Sequence, residues 1–246
     1  MTYELDQGAG AGLRLGLILL SVDETLEYEA RQVVAGRDVN LLHARIPARG
    51  DVTPEDLESM AGEMTSTAAL LPKGLDAVGY ACTSGATIIG SDRVETLVQM
   101  AHPGVPVTNP LSAVIAALGE MGLQRIALVS PYIDEITRPM RAALAEQGIE
   151  TVSEVSFGQK EEHTVARIAE RSTRAAIVEA AQAPGVEAVF TSCTNLRSFG
   201  ILDEVEAELG MPVISSNSAL MWRMLTLAGQ PAVGWGPGRL FARKAA

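Results

Sequence analysis

Short apolar runs rich in β-branched residues alternate along the chain with longer stretches whose apolar positions recur every three or four residues, the pattern of strands followed by amphipathic helices. "LRLGLILLS" (13–21), "VNLLHARI" (39–46), "DAVGYACT" (76–83) and "VPVTNP" (105–110) predict strands. Helices are expected over 23–35, 53–71, about 91–101 and 112–122. An acidic capping residue opens the first, and Thr53 with Pro54 and acids in the first turn opens the second.

The series then starts again. "RIALVSPY" (125–132) matches the first strand in type, a helix covers roughly 134–147, and "TVSEVSF" (151–157) is the next strand. The long segment 161–183 predicts one helix, "EAVFTSCT" (187–194) a strand, 201–209 a helix, "MPVISS" (211–216) a strand and 218–229 a last helix. "GVPVTNPLSA" and "GMPVISSNSA" share Gly, Pro, Val, Ser and Ala in one register. The period is 106 residues between Pro106 and Pro212 and 111 between Cys82 and Cys193. That spacing is too long for a solenoid and fits two related domains. The expected fold is therefore α/β: two pseudo-two-fold-related domains, each a parallel sheet flanked by helices, with a site in the cleft between them. Residues 1–112 with 218–246 are expected to form one domain and 113–217 the other.

The only two cysteines stand in matching frames, "DAVGYACTSG" (76–85) and "EAVFTSCTNL" (187–196). Both lie at the carboxyl end of a strand, where ligands bind in such sheets. A following helix would aim free N–H groups at each thiolate and lower its pKa, which makes proton transfer at neutral pH feasible. A lone Cys in an apolar strand is ordinarily a small core residue. Here each is followed by Thr and then Ser or Asn, where a core strand would continue apolar.

Charge and composition exclude other classes. Lys and Arg total 19 against 30 for Asp and Glu, a net charge of −11 without a basic run, which argues against nucleic acid or an anionic membrane as partner. The first twelve residues lack a positive n-region and a long apolar core, and no later apolar run approaches the ~20 residues that span a bilayer, so a cytoplasmic protein with reduced thiols is expected. The three histidines, at 43, 102 and 163, have no ligand spacing, and neither metal nor other cofactor is expected. "GAGAG" (8–12) precedes the first strand, the wrong order for a dinucleotide loop, and is read as a flexible tail. In "SNSALMWRML" Trp222 and the methionines are expected to pack inward, with Ser216 and Asn217 able to face the cleft.

These frames, with the duplication, resemble the aspartate/glutamate racemase superfamily over about residues 13–242. "LGLILLSVDETLEYE", "ALVSPYIDEI" and "GPGRLF" are most similar to its maleate cis-trans isomerase and arylmalonate decarboxylase branch, and within it to racemase-like proteins encoded beside ectoine-utilisation genes. The resemblance implies a cofactor-independent racemase or isomerase of a small carboxylic acid, and a homo-oligomer. Cys82 and Cys193 match its catalytic thiols; one removes a Cα proton and the other returns one, or the first adds to a double bond. Thr83, Ser84, Thr194 and Asn195 match residues that hold substrate carboxylates, and Tyr132 an active-site tyrosine. Fixed neutral donors of that kind suit the charge that builds on a carboxylate when the adjacent carbon loses a proton.

Two departures qualify this. Arylmalonate decarboxylase resembles the chain but has glycine at the position of Cys82, which makes decarboxylation with Cys193 as sole proton donor the alternative. Maleate isomerases have asparagine where Asp23 stands, and an ionised carboxylate only accepts hydrogen bonds. Asp23 suits a substrate N–H, as in an amino acid, or simply caps the following helix. A sensor of small acids built on a periplasmic-type binding fold is the competing reading from another class.

Overall fold

The computed structural model describes residues 1–6, 8–9 and 12–242; two residues of the expected flexible tail, 10 and 11, lie outside them. Strands β1 (Arg14–Leu20), β2 (Asn40–Ile46), β3 (Ala77–Ala81) and β4 (Val107–Thr108) form a parallel sheet in the order β2-β1-β3-β4. Strands β5 (Arg125–Ser130), β6 (Glu150–Ser156), β7 (Ala188–Thr191) and β8 (Val213–Ser215) repeat it as β6-β5-β7-β8. The inner strands β1, β3, β5 and β7 are buried almost throughout, because helices cover both faces of each sheet and leave no alternation of polar and apolar positions. Edge strand β6, "ETVSEVS", is only half-buried and correspondingly polar.

The connecting helices in the first half are α1 (Leu26–Val34), α2 (Pro54–Ser59), α3 (Ala61–Ala68), α4 (Thr83–Ile89), α5 (Ser91–Gln99) and α6 (Pro110–Met121). The second half has α7 (Asp134–Glu146), α8 (Glu162–Val165), α9 (Glu170–Ala180), α10 (Leu202–Leu209), α11 (Ser216–Leu227) and α12 (Arg239–Ala242). Matching capping boxes open α6, with Asn109 and Ser112, and α11, with Ser215 and Ser218, which is the physical content of the register shared by the two repeats.

Two expected helices are divided and one helix is added. The helix expected over 53–71 is divided between α2 and α3 at Met60, whose N–H bonds back to the Leu57 carbonyl at 3.3 Å and tightens the turn. The helix expected over 161–183 breaks between α8 and α9, where the Arg197 guanidinium takes the Ile168 carbonyl at 2.9 Å. Helix α4 was not expected, since "TSGATII" combines glycine with β-branched residues of low helix propensity. It also explains the uneven period. Cys82 precedes Val107 by 25 residues but Cys193 precedes Val213 by 20, because a turn and a short 3-10 helix (Phe199–Ile201) replace α4 in the second half.

Helix α11 lies on β3 and against α6, bridging the two halves. Its close approach needs Gly79 on β3: a Cβ there would stand 2.6 Å from Met224 Sδ and 3.2 Å from Leu17 Cδ2 and Leu220 Cδ1. Gly79→Ala should therefore destabilise the protein by about 1–3 kcal/mol through overpacking, seen as a lower denaturant midpoint at unchanged slope. An unchanged midpoint would contradict this packing.

Candidate active site

Cys82 ends the strand segment of β3 and caps α4. Its extended backbone lets Sγ accept the Gly85 N–H at 3.1 Å, and the Ser84 hydroxyl lies 3.4 Å away. The Thr83 hydroxyl, one residue on, bonds Ser216 Oγ across the interface at 2.7 Å. Ser216 Oγ in turn accepts the backbone N–H of Cys193 at 3.0 Å, so one hydroxyl pair joins the two repeated Cys-Thr frames. Thr194 closes a second crossing by donating to the Ala81 carbonyl at 3.3 Å.

Cys193 departs from its counterpart. No helix begins beside it, and its φ of 115° makes it the one non-glycine residue with positive φ among the described residues. Such backbone costs about 1–3 kcal/mol and persists only where its surroundings impose it. Here the Cys193 N–H is fixed by Ser216, and Sγ accepts the Asn195 N–H at 3.3 Å.

The expected lowering of both thiol pKa values is not found. Burial pushes Cys82 up to about 12, outweighing the lowering by Ser84 and Gly85, with the Glu162 carboxylate adding to the rise. Cys193 is raised well above the ordinary thiol range by burial, then by Glu162, against a lowering from the Tyr132 hydroxyl and the Asn195 N–H. None of the principal influences on either thiol is a cation. Tyr132 is 1% exposed, and burial, then the two thiols, raise its hydroxyl well above the ordinary range.

Asp23 does two things at once. Oδ1 accepts the Thr25 and Leu26 N–H groups at 2.9 Å each, capping the start of α1. Oδ2 is buried without a hydrogen-bond partner. Burial raises this carboxyl above its usual range despite the backbone donors.

Asn195 is drawn into the protein's own network. Oδ1 accepts the Glu24 N–H at 2.9 Å, and Nδ2 donates to the carbonyl and to Oε2 of Glu162, at 3.0 and 2.9 Å. Both amide hydrogens are thus taken. Ser216 and Asn217 do enter the cleft region, as expected: Asn217 Nδ2 ties Glu29 Oε2 at 2.6 Å to the Thr194 carbonyl at 2.9 Å.

Sequence reasoning missed Glu162, Glu29 as a buried strut, and Tyr80. Glu162 opens α8 and there looks like an ordinary first-turn acid; it is 5% exposed, burial raises it to about 7, and it acts on both thiols. Glu29, also raised to about 7 by burial, accepts the Ser198 and Phe199 N–H groups at 3.2 and 3.1 Å. Tyr80 sits two residues before Cys82 on the same strand and interacts with its thiol. Alternation along β3 was the available signal.

Two loops seal the site. Residue 52, after β2, donates its N–H to the Lys160 carbonyl at 2.7 Å, and the Glu162 N–H reaches the Gly50 carbonyl at 2.9 Å, so corresponding loops of the two halves meet over Glu162. His102 bonds the Ala68 carbonyl at 2.8 Å in the core, whereas His43 and His163 pair with Glu27 and Glu24.

The positive φ of Cys193 is testable through stability. Glycine tolerates this backbone and alanine does not, so Cys193→Gly should be more stable than Cys193→Ala by about 1 kcal/mol, while at the extended Cys82 the order should reverse. Denaturation midpoints of the four variants check this; the same order at both positions would refute the strain.

The arylmalonate decarboxylase family model matches residues 15–241 of this chain. The arylmalonate decarboxylase of Bordetella bronchiseptica is 32% identical over 197 residues, covering 78% of this chain and 82% of that protein. The maleate isomerase of Pseudomonas putida is 27% identical over 244 residues, 93% of this chain and 97% of its own. Among solved structures, a Nocardia farcinica maleate cis-trans isomerase mutant with a covalently bound succinylcysteine intermediate superposes with a TM-score of 0.84 at 22% identity, covering 93% of this chain and 98% of that one. With its family model matched over nearly the whole chain and two parallel four-stranded sheets of the same fold, the protein belongs to the arylmalonate decarboxylase family.

Proposed function

We propose that the protein is a cofactor-independent racemase or isomerase of a small carboxylic acid that works with Cys82 and Cys193. The observation that supports this is the pair of buried thiols at corresponding strand ends, whose Cys-Thr frames are joined by the Thr83–Ser216 hydroxyl pair. A family relative that retains one thiol and glycine at the other position has no use for such a pair; this chain has both.

In the proton-transfer form, one thiolate takes the proton on the carbon beside the carboxylate. The C–H bond breaks, an S–H bond forms, and the electron pair passes into the carboxylate as an enediolate. The opposing thiol then donates its proton to the other face of the carbon, leaving that sulfur as the thiolate. Thr83 and Ser84, at the open first turn of α4, and Tyr132 are the donors proposed to hold the growing negative charge. Asn195 contributes by positioning, since its side chain holds Glu162. In the addition form, the Cys82 thiolate bonds to one alkene carbon as the π bond breaks, the adjacent carbon takes a proton from the Cys193 thiol, and after rotation about the resulting single bond the Cys193 thiolate takes that proton back as the C–S bond breaks and the alkene re-forms. A covalently bound succinylcysteine intermediate, as in the Nocardia maleate cis-trans isomerase mutant, has the composition such an addition gives.

The 32% identity to a decarboxylase favours a second reading, in which Cys193 alone protonates the carbanion left by loss of carbon dioxide. Proton NMR in D2O separates these. The panel is maleate, aspartate, glutamate, 2,4-diaminobutyrate with its N-acetyl forms, and a disubstituted malonate. Loss of an α-proton signal without loss of carbon is expected, and both Cys82→Ala and Cys193→Ala should reduce it at least 10³-fold, the order by which removal of an essential acid or base lowers turnover. Full activity of Cys82→Ala on the malonate would establish the decarboxylase instead.

The raised thiols also set a pH dependence. Thiolate increases as pH rises toward a high pKa, and the opposing thiol, raised as well, keeps its proton. The rate of α-proton exchange should climb without a maximum between about pH 6 and 8. A bell-shaped profile in that range would show that the thiols are not the titrating pair.

A further inference from the structure

Three carboxylates, Asp23, Glu29 and Glu162, are buried near the junction of the two halves, and the protein satisfies only Glu29 at both oxygens. Glu29 receives three hydrogen bonds, from Ser198, Phe199 and Asn217, and is a strut between α1 and the second half. Glu162 receives a side-chain hydrogen bond at Oε2 alone and lines a narrow cavity with Leu20, Val52 and Met60. Asp23 leaves Oδ2 without a hydrogen bond of its own although the residue is 4% exposed, because the Thr194 hydroxyl beside it is given to the Ala81 carbonyl at 3.3 Å. A buried acceptor without a donor destabilises a protein by about 1–3 kcal/mol, more when charged, so its retention calls for a ligand that supplies the donor.

We propose that Asp23 and Glu162 together seat a positively charged nitrogen of the substrate, and that the enzyme acts on zwitterionic acids bearing an ammonium or amidinium group. This rests on the two-thiol reading and adds to it the substrate class and a specificity role for Glu162. One residue spans the two acids and a thiol: Asn195 accepts the N–H of Glu24, next to Asp23, at 2.9 Å, donates to Glu162 Oε2 at 2.9 Å, and gives its backbone N–H to Cys193 Sγ at 3.3 Å, so a cation held by both carboxylates is near that thiol. An ammonium brings three N–H donors and no acceptor, the complement of an orphaned Oδ2 and a half-satisfied Glu162. It also offsets the negative field that Glu162 exerts on the two thiols.

The protein's own cations are committed elsewhere. Arg45 donates to the Asp23 and Leu20 carbonyls at 2.9 and 3.1 Å and pairs with Glu27; of the principal influences on the Asp23 carboxyl, its is the smallest. Arg49, beside the same cavity, pairs with Asp56 at 3.2 Å. A metal ion is the weaker fit, since among the described residues no three His, Cys, Asp or Glu side chains are grouped to hold one. A nitrogen-free dicarboxylate would add negative charge to a site that already holds two acids.

Matched probes test the assignment: aspartate against 2-methylsuccinate and glutamate against 2-methylglutarate, racemic, titrated calorimetrically into the full chain. The amino member of at least one pair should bind at least tenfold more tightly. Asp23→Asn and Glu162→Gln should each reduce that preference at least fivefold, and the same variants should gain relative activity on maleate. Equal binding within every pair, binding of neither member, or a preference that survives both substitutions overturns the cation seat. Should Asp23→Asn fail to fold for want of its helix cap, Glu162→Gln decides alone. The two-thiol reading is scored separately: Cys82→Ser and Cys193→Ser should still bind the amino probe but lose α-proton exchange, and retained exchange would refute that reading while leaving the cation seat standing.

Discussion

The seam between the two halves is buried, and most of its polar groups find their partners on the other side. Thr83 and Ser216 share a hydroxyl hydrogen bond, Ser216 holds the Cys193 N–H, Thr194 reaches the Ala81 carbonyl, and Thr25 Oγ1 donates to the Asn195 carbonyl at 2.9 Å. A buried polar atom without a partner costs more than its hydrogen bond is worth when made. The seam therefore admits few alternative arrangements, and the position of each thiol follows from it.

The same burial acts on every ionisable group near the seam. Water exclusion opposes charge on sulfur and on carboxyl oxygen alike, so the thiols, Asp23, Glu29 and Glu162 all shift toward their neutral forms. Neutral groups at rest suit a reaction whose charge appears only in passing, because fixed donors in a low-dielectric site act strongly on it. The strained backbone of Cys193 belongs to this economy: local stability is given up where a sulfur must face a particular direction.

The two-fold repeat is imperfect in an informative way. Cys82 caps a helix and accepts an N–H from its first turn, whereas Cys193 sits in a tight turn and leans on Tyr132. Two thiols in unlike surroundings suit a site whose two faces meet different parts of a substrate. Asn195, matched in sequence to a carboxylate-binding position, is turned to hold Glu162, and the acid thereby enters the site in its place.

Much of this was legible along the chain. Buried strands announced themselves as apolar runs, the duplicated Pro-Val and Cys-Thr frames located both thiols, and apolar periodicity, with an acidic cap for α1, placed α1, α6 and α11 within a few residues. These are properties of short segments, determined by side-chain periodicity and backbone hydrogen bonding. Helix α4 was not legible, because its stability comes from the seam and not from its propensity. Nor was the break between α8 and α9, which depends on Arg197 arriving from 29 residues away. The sequence alone determined that two thiols stand in matching frames at strand ends; only the tertiary structure decided their ionisation and the burial of Glu162 near them, since burial and charge coupling are set by groups far apart in the chain.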